Sequence, residues 1–315
     1  MTLLRRAFTA MGTSCELAVA ASPEDETQAQ RALAAGLDEV ETCERVLTRF
    51  NPDSDLSRLN GALGQWVGVD ARLVAALRAA VDARRVTAGR FDPTILQPLV
   101  AAGYDRTFAE LTNRPAWAAD GWRRGAAIWI DEDSCRARLE PGSAVDLGGI
   151  GKGFSAARAL EAMRLAWPEL LGGFADLGGD LAFAGRPTDG DAWRIAVADP
   201  REPGANLATL LLNGGGVATS GRDRRRFGPG RSLHHLIDPE TGAPAVRGPL
   251  AVTVVAEDAA EAEALGTAFA ISELDDVCRL AQERGVAALY VPEAGAPVEI
   301  GALPLAPRYR IEVAA

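Results

Sequence analysis

The segment Asp146–Gly153 has the sequence DLGGIGKG and leads directly into a predicted helix. Glycines let the backbone approach a ligand at a position where a Cβ atom would clash. Backbone amides at the start of a helix, together with a lysine, form a seat for phosphate. No Ser or Thr follows the lysine and the glycine spacing is not Gly-x-Gly-x-x-Gly, so neither a Walker A loop nor a Rossmann fingerprint is present. The segment therefore predicts a phosphate site of a different type.

Lys152, within this segment, is the only lysine among the 33 Lys and Arg residues of the chain. Arginine carries the positive charge everywhere else. A lysine at this position therefore indicates a need for a compact, flexible ammonium group rather than a planar guanidinium. The alternative is that one surface lysine has survived a compositional bias.

The only two histidines, His234 and His235, are adjacent and are followed by Leu-Ile-Asp-Pro-Glu-Thr-Gly. A histidine titrates near neutrality and can act as a general base. An alternative interpretation is a tight turn with a hydrogen-bonded His–Asp pair. The segment Ala-Thr-Ser-Gly and an arginine run at residues 222–226 come shortly before, and we expect the run to add positive charge.

Glu263 and Thr267 are four residues apart on a predicted helix and so share one face. A carboxylate and a hydroxyl are hard oxygen donors suited to Mg²⁺, which usually takes few protein ligands and keeps waters and substrate phosphates. The alternative is an ordinary solvated helix face.

Hydrophobic periodicity predicts the elements that must position these motifs. The predicted helices cover residues 24–47, 70–87, 154–166, 258–271 and 274–285. The predicted strands cover residues 14–20, 126–131, 135–139, 173–185, 193–199, 208–219, 250–256, 286–291 and 308–314. Because strands do not alternate strictly with helices, the predicted fold class is α+β rather than doubly wound parallel α/β. No linker or repeat divides the chain, and we expect one domain over residues 1–315.

The composition excludes several classes of protein. A formal net charge of −10 argues against general nucleic-acid binding, which requires a basic face. The apolar runs are far shorter than the roughly 18 residues that a membrane span needs. The first residues contain two arginines without an apolar stretch behind them, so we expect no secretory signal. Four cysteines without Cys-x-x-Cys spacing fit free thiols in a reducing cytoplasm, which is the expected location.

Taken together and in order, these segments resemble the ApbE family of FAD:protein FMN transferases. The resemblance rests on eight blocks that span almost the whole chain. They are Met11-Gly-Thr, LTRFNPDSDLSRLN at 47–60, GRFDPT at 89–94, the Asp146–Gly153 segment, Leu-Gly-Gly-Asp at 177–180, WRIAVADP at 193–200, ATSG followed by HHLIDPETG, and the helix carrying Glu263 and Thr267.

The resemblance implies a compact α+β domain, related to the T-fold, with mixed or antiparallel sheets and flanking helices. It also implies that FAD is bound as a substrate. The residues implied in the FAD pocket are Met11, Phe50, Arg90, Phe91 and Asp92, with Asp146, Lys152 and Leu236 also contacting the dinucleotide.

The resemblance further implies a Mg²⁺ ion held by the backbone carbonyl of Gly149 and the side chains of Glu263 and Thr267. His235 is the implied base that activates the acceptor hydroxyl. A Ser or Thr hydroxyl of a partner protein, in a short motif with Gly-Ala, attacks the phosphorus on the FMN side and AMP leaves. Two alternatives stay open: hydrolysis of FAD to FMN and AMP, and a flavin-binding protein without catalysis.

Three positions depart from the family pattern. Glu263 stands where the family has a metal-binding aspartate, and Mg²⁺ demands tight geometry. Phe50 replaces a tyrosine, which keeps the apolar ring but loses the hydroxyl. Ala157 replaces an aspartate in the helix after the lysine. We expect metal binding to be retained.

Overall fold

The computed structural model of the chain describes residues 2–111, 121–187, 192–222, 226–228, 230 and 232–306. The α-helices in this part are α1 Glu26–Leu47, α2 Asp55–Asn60, α3 Ala71–Val86, α4 Leu96–Ala101, α5 Gly151–Ala166, α6 Ala259–Phe269 and α7 Leu274–Arg284. The strands are β1 Thr2–Ala10, β2 Thr13–Ala21, β3 Val67–Gly68, β4 Ile128–Asp131, β5 Arg136–Leu139, β6 Gly172–Leu177, β7 Leu181–Gly185, β8 Trp193–Ala198, β9 Asn206–Leu212, β10 Gly214–Gly221, β11 Arg226–Phe227, β12 Leu233–His234, β13 Ile237–Asp238, β14 Ala243–Pro244, β15 Ala251–Ala256, β16 Ala287–Val291 and β17 Val298–Ile300.

An eight-stranded sheet forms the centre of the fold, with the order β1-β2-β6-β7-β10-β15-β16-β17. Every pairing in it is antiparallel. A smaller sheet has the order β3-β5-β4, and three two-stranded ladders pair β8 with β9, β11 with β12, and β13 with β14. The predicted α+β class with antiparallel sheets is confirmed.

The large sheet separates two apolar layers. Helices α1, α5 and α6 pack on one of its faces, where α5 lies against β6 and β7 and α6 against β10 and β15. The β8–β9 ladder packs on the other face, with Trp193 and Val197 against Phe183 and Val217 of the sheet. This layering places the start of α5 and the face of α6 side by side.

Close packing between α5 and α6 depends on a glycine. A Cβ atom at Gly153 would lie only 2.2 Å from the carbonyl oxygen of Ala259. The glycine therefore lets the first turn of α5 approach the first turn of α6, although glycine is a poor helix former in isolation. This contact explains why α5 starts at Gly151 rather than at residue 154, where the sequence predicted its start.

The other four predicted helices are present with small shifts at their ends. Most predicted strands are present too, although the predicted strand at 173–185 divides into β6 and β7 and that at 208–219 divides into β9 and β10. The sequence did not predict β1, β3, β17, the short strands β11–β14 or the short helices α2 and α4. The strand expected at 308–314 lies outside the described residues. Among the described residues, no helix has both the length and the apolar character needed to cross a bilayer.

Candidate functional site

The start of α5 carries a buried cluster of one ammonium and two carboxylates. Lys152 Nζ donates to Glu263 Oε1 at 2.7 Å and to the Asp180 carboxylate. Glu263 and Asp180 are 2% and 4% exposed, whereas the Lys152 side chain is 18% exposed. The lysine is therefore not a surface residue left by a compositional bias. Buried charges persist when they are paired and hydrogen-bonded, and this cluster meets that condition.

Glu263 also holds the first turn of α5. Its second oxygen, Oε2, accepts a hydrogen bond from the backbone N–H of Gly153 at 2.7 Å. Amides in the first helical turn have no partner within the helix, and a carboxylate there is favoured by the helix dipole. Because Glu263 is buried, the solvated-face alternative for its helix is excluded.

Gly149 and Thr267, two of the implied metal ligands, are in contact. The Thr267 hydroxyl donates to the Gly149 carbonyl oxygen at 3.2 Å. A Cβ atom at Gly149 would lie 2.9 Å from Thr267 Oγ1 and 3.2 Å from the ring of Phe91, so a side chain there would displace both residues. Glu263 lies one helical turn before Thr267 on α6. The three implied ligands thus belong to one region at the α5–α6 junction.

The donor set at this junction suits a hard cation. A carbonyl, a hydroxyl and a carboxylate are all oxygen donors of the kind that Mg²⁺ prefers. Within the described part of the chain, no cluster of three or more His, Cys, Asp or Glu side chains offers a richer set. Mg²⁺ commonly takes one or two carboxylates plus substrate phosphates, so magnesium binding at this sparse set of donors stays a prediction.

Asp146, at the other end of the glycine-rich segment, is fixed by Arg49. Arg49 Nε donates to Asp146 Oδ2 at 2.6 Å, and Asp146 Oδ1 accepts from the N–H of Gly148 at 2.8 Å. The guanidinium of Arg49 also stacks under Phe50, with its Cζ atom 4.2 Å from the ring centroid. Phe50 is 41% exposed, so part of its ring is open to solvent. Arg49 joins two of the predicted FAD contacts.

An aromatic row continues from Phe50. The Phe50 and Tyr104 ring centroids are 6.2 Å apart, and those of Tyr104 and Phe227 are 5.7 Å apart. Arg49 also donates to the Tyr104 carbonyl oxygen at 2.8 Å. The row gives the Arg49–Asp146 pair an apolar wall.

The implied FAD contacts at 90–92 face in different directions. Arg90 Nη1 lies 3.6 Å from Glu240 Oε2, which links this segment to the turn after the histidines. The carboxylate of Asp92 is buried and accepts from the N–H of Thr94 at 2.9 Å and the N–H of Gly125 at 2.8 Å. Asp92 therefore shapes the loop from inside, and its implied contact with FAD stays a prediction.

Met11 lies at the two-residue turn between β1 and β2. Met11 and Gly12 both have positive φ, at 51° and 68°, as a type I′ hairpin turn requires. The Met11 N–H donates to Glu44 Oε1 at 2.6 Å, which fixes the turn to α1. Thr13, after the turn, packs against Gly178, so the Met11 turn adjoins the loop that carries Asp180.

The two histidines have different surroundings. His234 is 5% exposed, its Nε2 lies 2.9 Å from the Ala245 carbonyl oxygen, and burial lowers the pKa of its imidazole. His235 is only partly buried, and Leu236 behind it is buried. Strand β12 ends at His234, so His235 is the first residue after the strand. Asp238 accepts from the N–H of Glu240 at 2.9 Å and so closes the turn that follows.

The arginine run is described only at its ends, because residues 223–225 lie outside the described part. Arg222 Nη2 donates to the Gly248 carbonyl oxygen at 2.6 Å and to Glu293 Oε1 at 3.1 Å. Arg222 therefore ties down the loop before β15. The expectation that the run adds positive charge to the site stays a prediction.

Comparison with known proteins agrees with this arrangement. The sequence profile of the ApbE family matches residues 11–290. The chain belongs to the ApbE family. It is 30% identical to a protein of Treponema pallidum named FAD:protein FMN transferase, over 91% of this chain and 83% of the relative. A Klebsiella pneumoniae protein of the same name is 28% identical over 90% of this chain and 83% of the relative.

A solved ApbE structure has the same fold. The ApbE protein of Thermotoga maritima superposes with a TM-score of 0.81 at 28% identity, over 95% of this chain and 97% of that one. The flavinyl transferase ApbE of Pseudomonas stutzeri superposes with a TM-score of 0.76 at 21% identity, over 95% of both chains, which supports the fold alone.

Arg49, Tyr104 and Asp180 are site residues that sequence reasoning in this ApbE-family chain did not single out. Asp180 lies in the Leu-Gly-Gly-Asp block, which was used for the resemblance without a role for its carboxylate. Arg49 directly precedes the predicted contact Phe50. Asp180 pairs with Lys152, and Arg49 pairs with Asp146. Each partner is distant in sequence, so no local pattern indicates either pairing.

Proposed function

We propose that this chain catalyses the Mg²⁺-dependent transfer of the FMN moiety of FAD to a Ser or Thr hydroxyl of an acceptor protein, with release of AMP. The observation that carries the proposal is the ammonium of Lys152, held by Glu263 and Asp180 at the start of α5 beside the Gly149–Thr267 contact. The relatives named FAD:protein FMN transferase support the same reaction.

The net charge of the cluster formed by Lys152, Glu263 and Asp180 supports a requirement for a divalent cation when the pyrophosphate binds. One ammonium and two carboxylates leave one net negative charge, which repels a pyrophosphate despite the helix N-terminus. The Gly149 carbonyl, Glu263 and Thr267 would hold Mg²⁺. When bound, the ion neutralises pyrophosphate charge and orients the phosphoryl group for in-line displacement.

The chain's own residues bind and orient the rest of FAD. The exposed face of Phe50 is a stacking surface for an aromatic ring, and the Arg49–Asp146 pair holds it in place from behind. Lys152 places its ammonium at the phosphate end. Removing one such preorganised electrostatic group typically costs ~10²–10³ in rate.

His235 is the proposed base. The acceptor hydroxyl gives its proton to His235 while its oxygen forms a bond to the FMN-side phosphorus. The bond from that phosphorus to the AMP oxygen breaks, and AMP leaves. His234 is the poorer candidate, since it is buried and its Nε2 is engaged by the Ala245 carbonyl oxygen.

The decisive experiment combines the protein, FAD, Mg²⁺ and a peptide with a Gly-Ala-Thr core, followed by mass spectrometry. We expect a mass gain on the peptide equal to FMN and a stoichiometric release of AMP. FMN and AMP without a modified peptide would indicate the hydrolase, and no turnover would indicate a flavin-binding protein.

His235→Ala, in the same assay, tests the base. We expect a fall of ~10²–10⁴ in the transfer rate with little change in the Kd for FAD, because general base catalysis acts in the transition state. A loss of FAD binding with an unchanged rate constant would refute the role.

We also propose a reducing compartment, the cytoplasm, as the location. The four cysteines are free thiols, and Cys15 and Cys43 are buried. Burial raises the pKa of the Cys43 thiol to about 11, which keeps it protonated and unreactive.

A further inference from the structure

The face of the large sheet opposite the helices carries a slot that is not part of the site described above. The slot is a cavity of about 680 Å³ between the sheet and the β8–β9 ladder. Its floor includes residues of six consecutive strands, β1, β2, β6, β7, β10 and β15. None of the residues implied to bind FAD or Mg²⁺ lines it.

One end of the floor is acidic. Glu16 and Asp176 are direct partners across β2 and β6, and both line the slot. Glu16 is paired with Arg5 at 2.9 Å. Asp176 accepts a hydrogen bond from the N–H of Gly179 at 2.7 Å, and no ion pair to Asp176 is found among the described residues. Asp176 is therefore a partly desolvated carboxylate without a cation of its own.

The electrostatic surroundings of Asp176 favour an incoming cation. Burial raises the pKa of its carboxyl, and the negative charge of Glu16 adds to the rise. A cationic group placed in the slot would oppose both effects, because an opposite charge nearby favours the ionised carboxylate.

The rest of the floor is apolar with small hydroxyl groups at the far side. Phe174 and Phe183 are apolar residues of the floor, and Trp193 of β8 faces them from the ladder. Thr219 and Thr253 lie opposite each other on β10 and β15, with their Oγ1 atoms 2.9 Å apart. Thr219 is exposed to the slot.

The dimensions suit an extended chain. Adjacent strands lie about 4.8 Å apart, so a floor of six strands is roughly 24 Å long. An extended peptide advances at most about 3.3–3.6 Å per residue, and about seven residues would fill this length. A floor of this length accommodates an extended protein segment.

The slot adjoins the phosphate site. Gly178 and Gly179 line the slot, and the next residue, Asp180, holds Lys152 on the helix side. The charge of Lys152 also reaches Asp176, where it lowers the pKa. A segment that leaves the slot past this turn arrives at the ammonium where we place the pyrophosphate.

We propose that the slot binds an extended segment of the acceptor protein, with a basic side chain of that segment against Asp176 and Glu16. The inference rests on the proposed transfer reaction for the identity of the partner. The slot itself performs no chemistry; it positions the acceptor hydroxyl.

The probes are fluorescein-labelled ten-residue peptides with a Gly-Ala-Thr core. In one set a single lysine is placed at each flanking position in turn; matched sets carry methionine or glutamate there. Fluorescence anisotropy without FAD measures binding, and mass spectrometry with FAD and Mg²⁺ measures transfer. For the native enzyme we expect peptides with lysine at one or two of the flanking positions to bind roughly tenfold or more tighter than the matched peptides with methionine or glutamate there. A hydrogen bond to a charged group allows a difference of this size.

Two variants locate the binding. Asp176→Asn keeps the acceptor for the Gly179 N–H but removes the charge, and it should abolish the preference for lysine. Thr219→Trp fills the slot from an exposed strand position and should weaken all peptides by tenfold or more. Thr2→Trp, at an exposed threonine of β1 that does not line the slot, is the matched control and should bind as the native enzyme does. All three should keep the native Kd for FAD.

Several results would overturn the slot assignment. They are no binding of any peptide to the native enzyme, an unchanged lysine preference in Asp176→Asn, equal peptide binding by Thr219→Trp and Thr2→Trp, or loss of peptide binding when FAD saturates the enzyme. If the lysine peptides bind as expected but receive no FMN, the slot assignment stands and the proposed transfer reaction fails.

Discussion

Two carboxylate pairs lie on opposite sides of the loop at residues 178–179, and they differ in how their negative charge is balanced. On the helix side, Glu263 and Asp180 are both paired with Lys152. On the strand side, Glu16 is paired with a half-exposed Arg5, whereas Asp176, within the described part of the chain, is held by the backbone N–H of Gly179 and by no cation.

The difference separates two kinds of binding site. A charge with its counter-ion built in is fixed in place before a substrate arrives, which is the condition for electrostatic catalysis. A desolvated charge without a counter-ion gains most from a partner that brings one, which favours recognition. The helix side is thus organised for chemistry and the strand side for selection of a partner.

Lys152→Met is the strongest test of this comparison. We expect the transfer rate to fall by ~10²–10³, because a preorganised charge at the phosphate is lost. Removing one partner of a buried ion pair costs about 3–5 kcal/mol, and we expect the lower end since the Lys152 side chain is 18% exposed. Urea unfolding and single-turnover transfer measure the two effects.

Lys152→Met combined with Asp180→Asn is the control, because Asp180 is not one of the implied metal ligands. Removing one of the two carboxylates left without a cation should restore part of the free energy of unfolding, whereas transfer should stay slow. If stability and activity recover together, the lysine acts through the fold alone and the comparison fails.

Sequence reasoning selected residues that the fold brings together, but it did not predict all of their partners. Lys152, Glu263 and Thr267 were selected for their residue types and spacing, and the fold brings them to one junction. The pairing of Lys152 with Asp180 and Glu263 bridges 28 and 111 positions in sequence. Such contacts depend on how β7, α5 and α6 pack, which no local pattern contains.

Tertiary packing also explains the errors in the predicted elements. Strand β1 is an edge strand with most of its side chains exposed, so its alternation is too weak to detect. Helix α5 begins within a glycine-rich segment of low helix propensity, because Gly153 allows close contact with α6. The slot was not predicted, since each of its strands shows only the ordinary two-residue alternation.

Thr267→Val tests the metal on the helix side at nearly constant side-chain volume. The hydroxyl is lost from the set of oxygen donors, and we expect the Mg²⁺ concentration for half-maximal transfer to rise by at least ~10–100-fold, the cost of losing an outer-shell partner. Glu263→Ala is less informative, because Glu263 also holds the first turn of α5 and its loss would disturb the fold.

Thr253→Val is the matched control for the metal test. It removes a threonine hydroxyl in the slot, where Thr253 faces Thr219, and should leave the Mg²⁺ requirement unchanged. Equal Mg²⁺ requirements in the Thr267 and Thr253 variants would remove Thr267 from the metal site.

His234 shows a third way to bury a titratable group, which is to keep it neutral. Burial lowers the pKa of His234 in the folded chain below its unfolded value of about 6.5. As the pH falls below 6.5, His234 binds a proton in the unfolded chain but stays neutral in the folded chain. The free energy of unfolding therefore falls with decreasing pH in this window, by at most about 1.4 kcal/mol per pH unit.

His234→Gln should reduce this dependence, since glutamine does not titrate and its amide can still donate to the Ala245 carbonyl oxygen. We expect urea unfolding at pH 7.0 and 5.5 to show a pH-dependent loss smaller by about 1 kcal/mol in the variant than in the native protein. Carboxylates that titrate in the same pH range contribute equally to the native protein and to the variant, so their contribution cancels when the two losses are subtracted. If His234→Gln showed the same pH dependence of the free energy of unfolding as the native protein, the His234 ring of the native protein would have to be protonated in the folded chain. Its burial would then require a counter-ion on this side of the molecule as well.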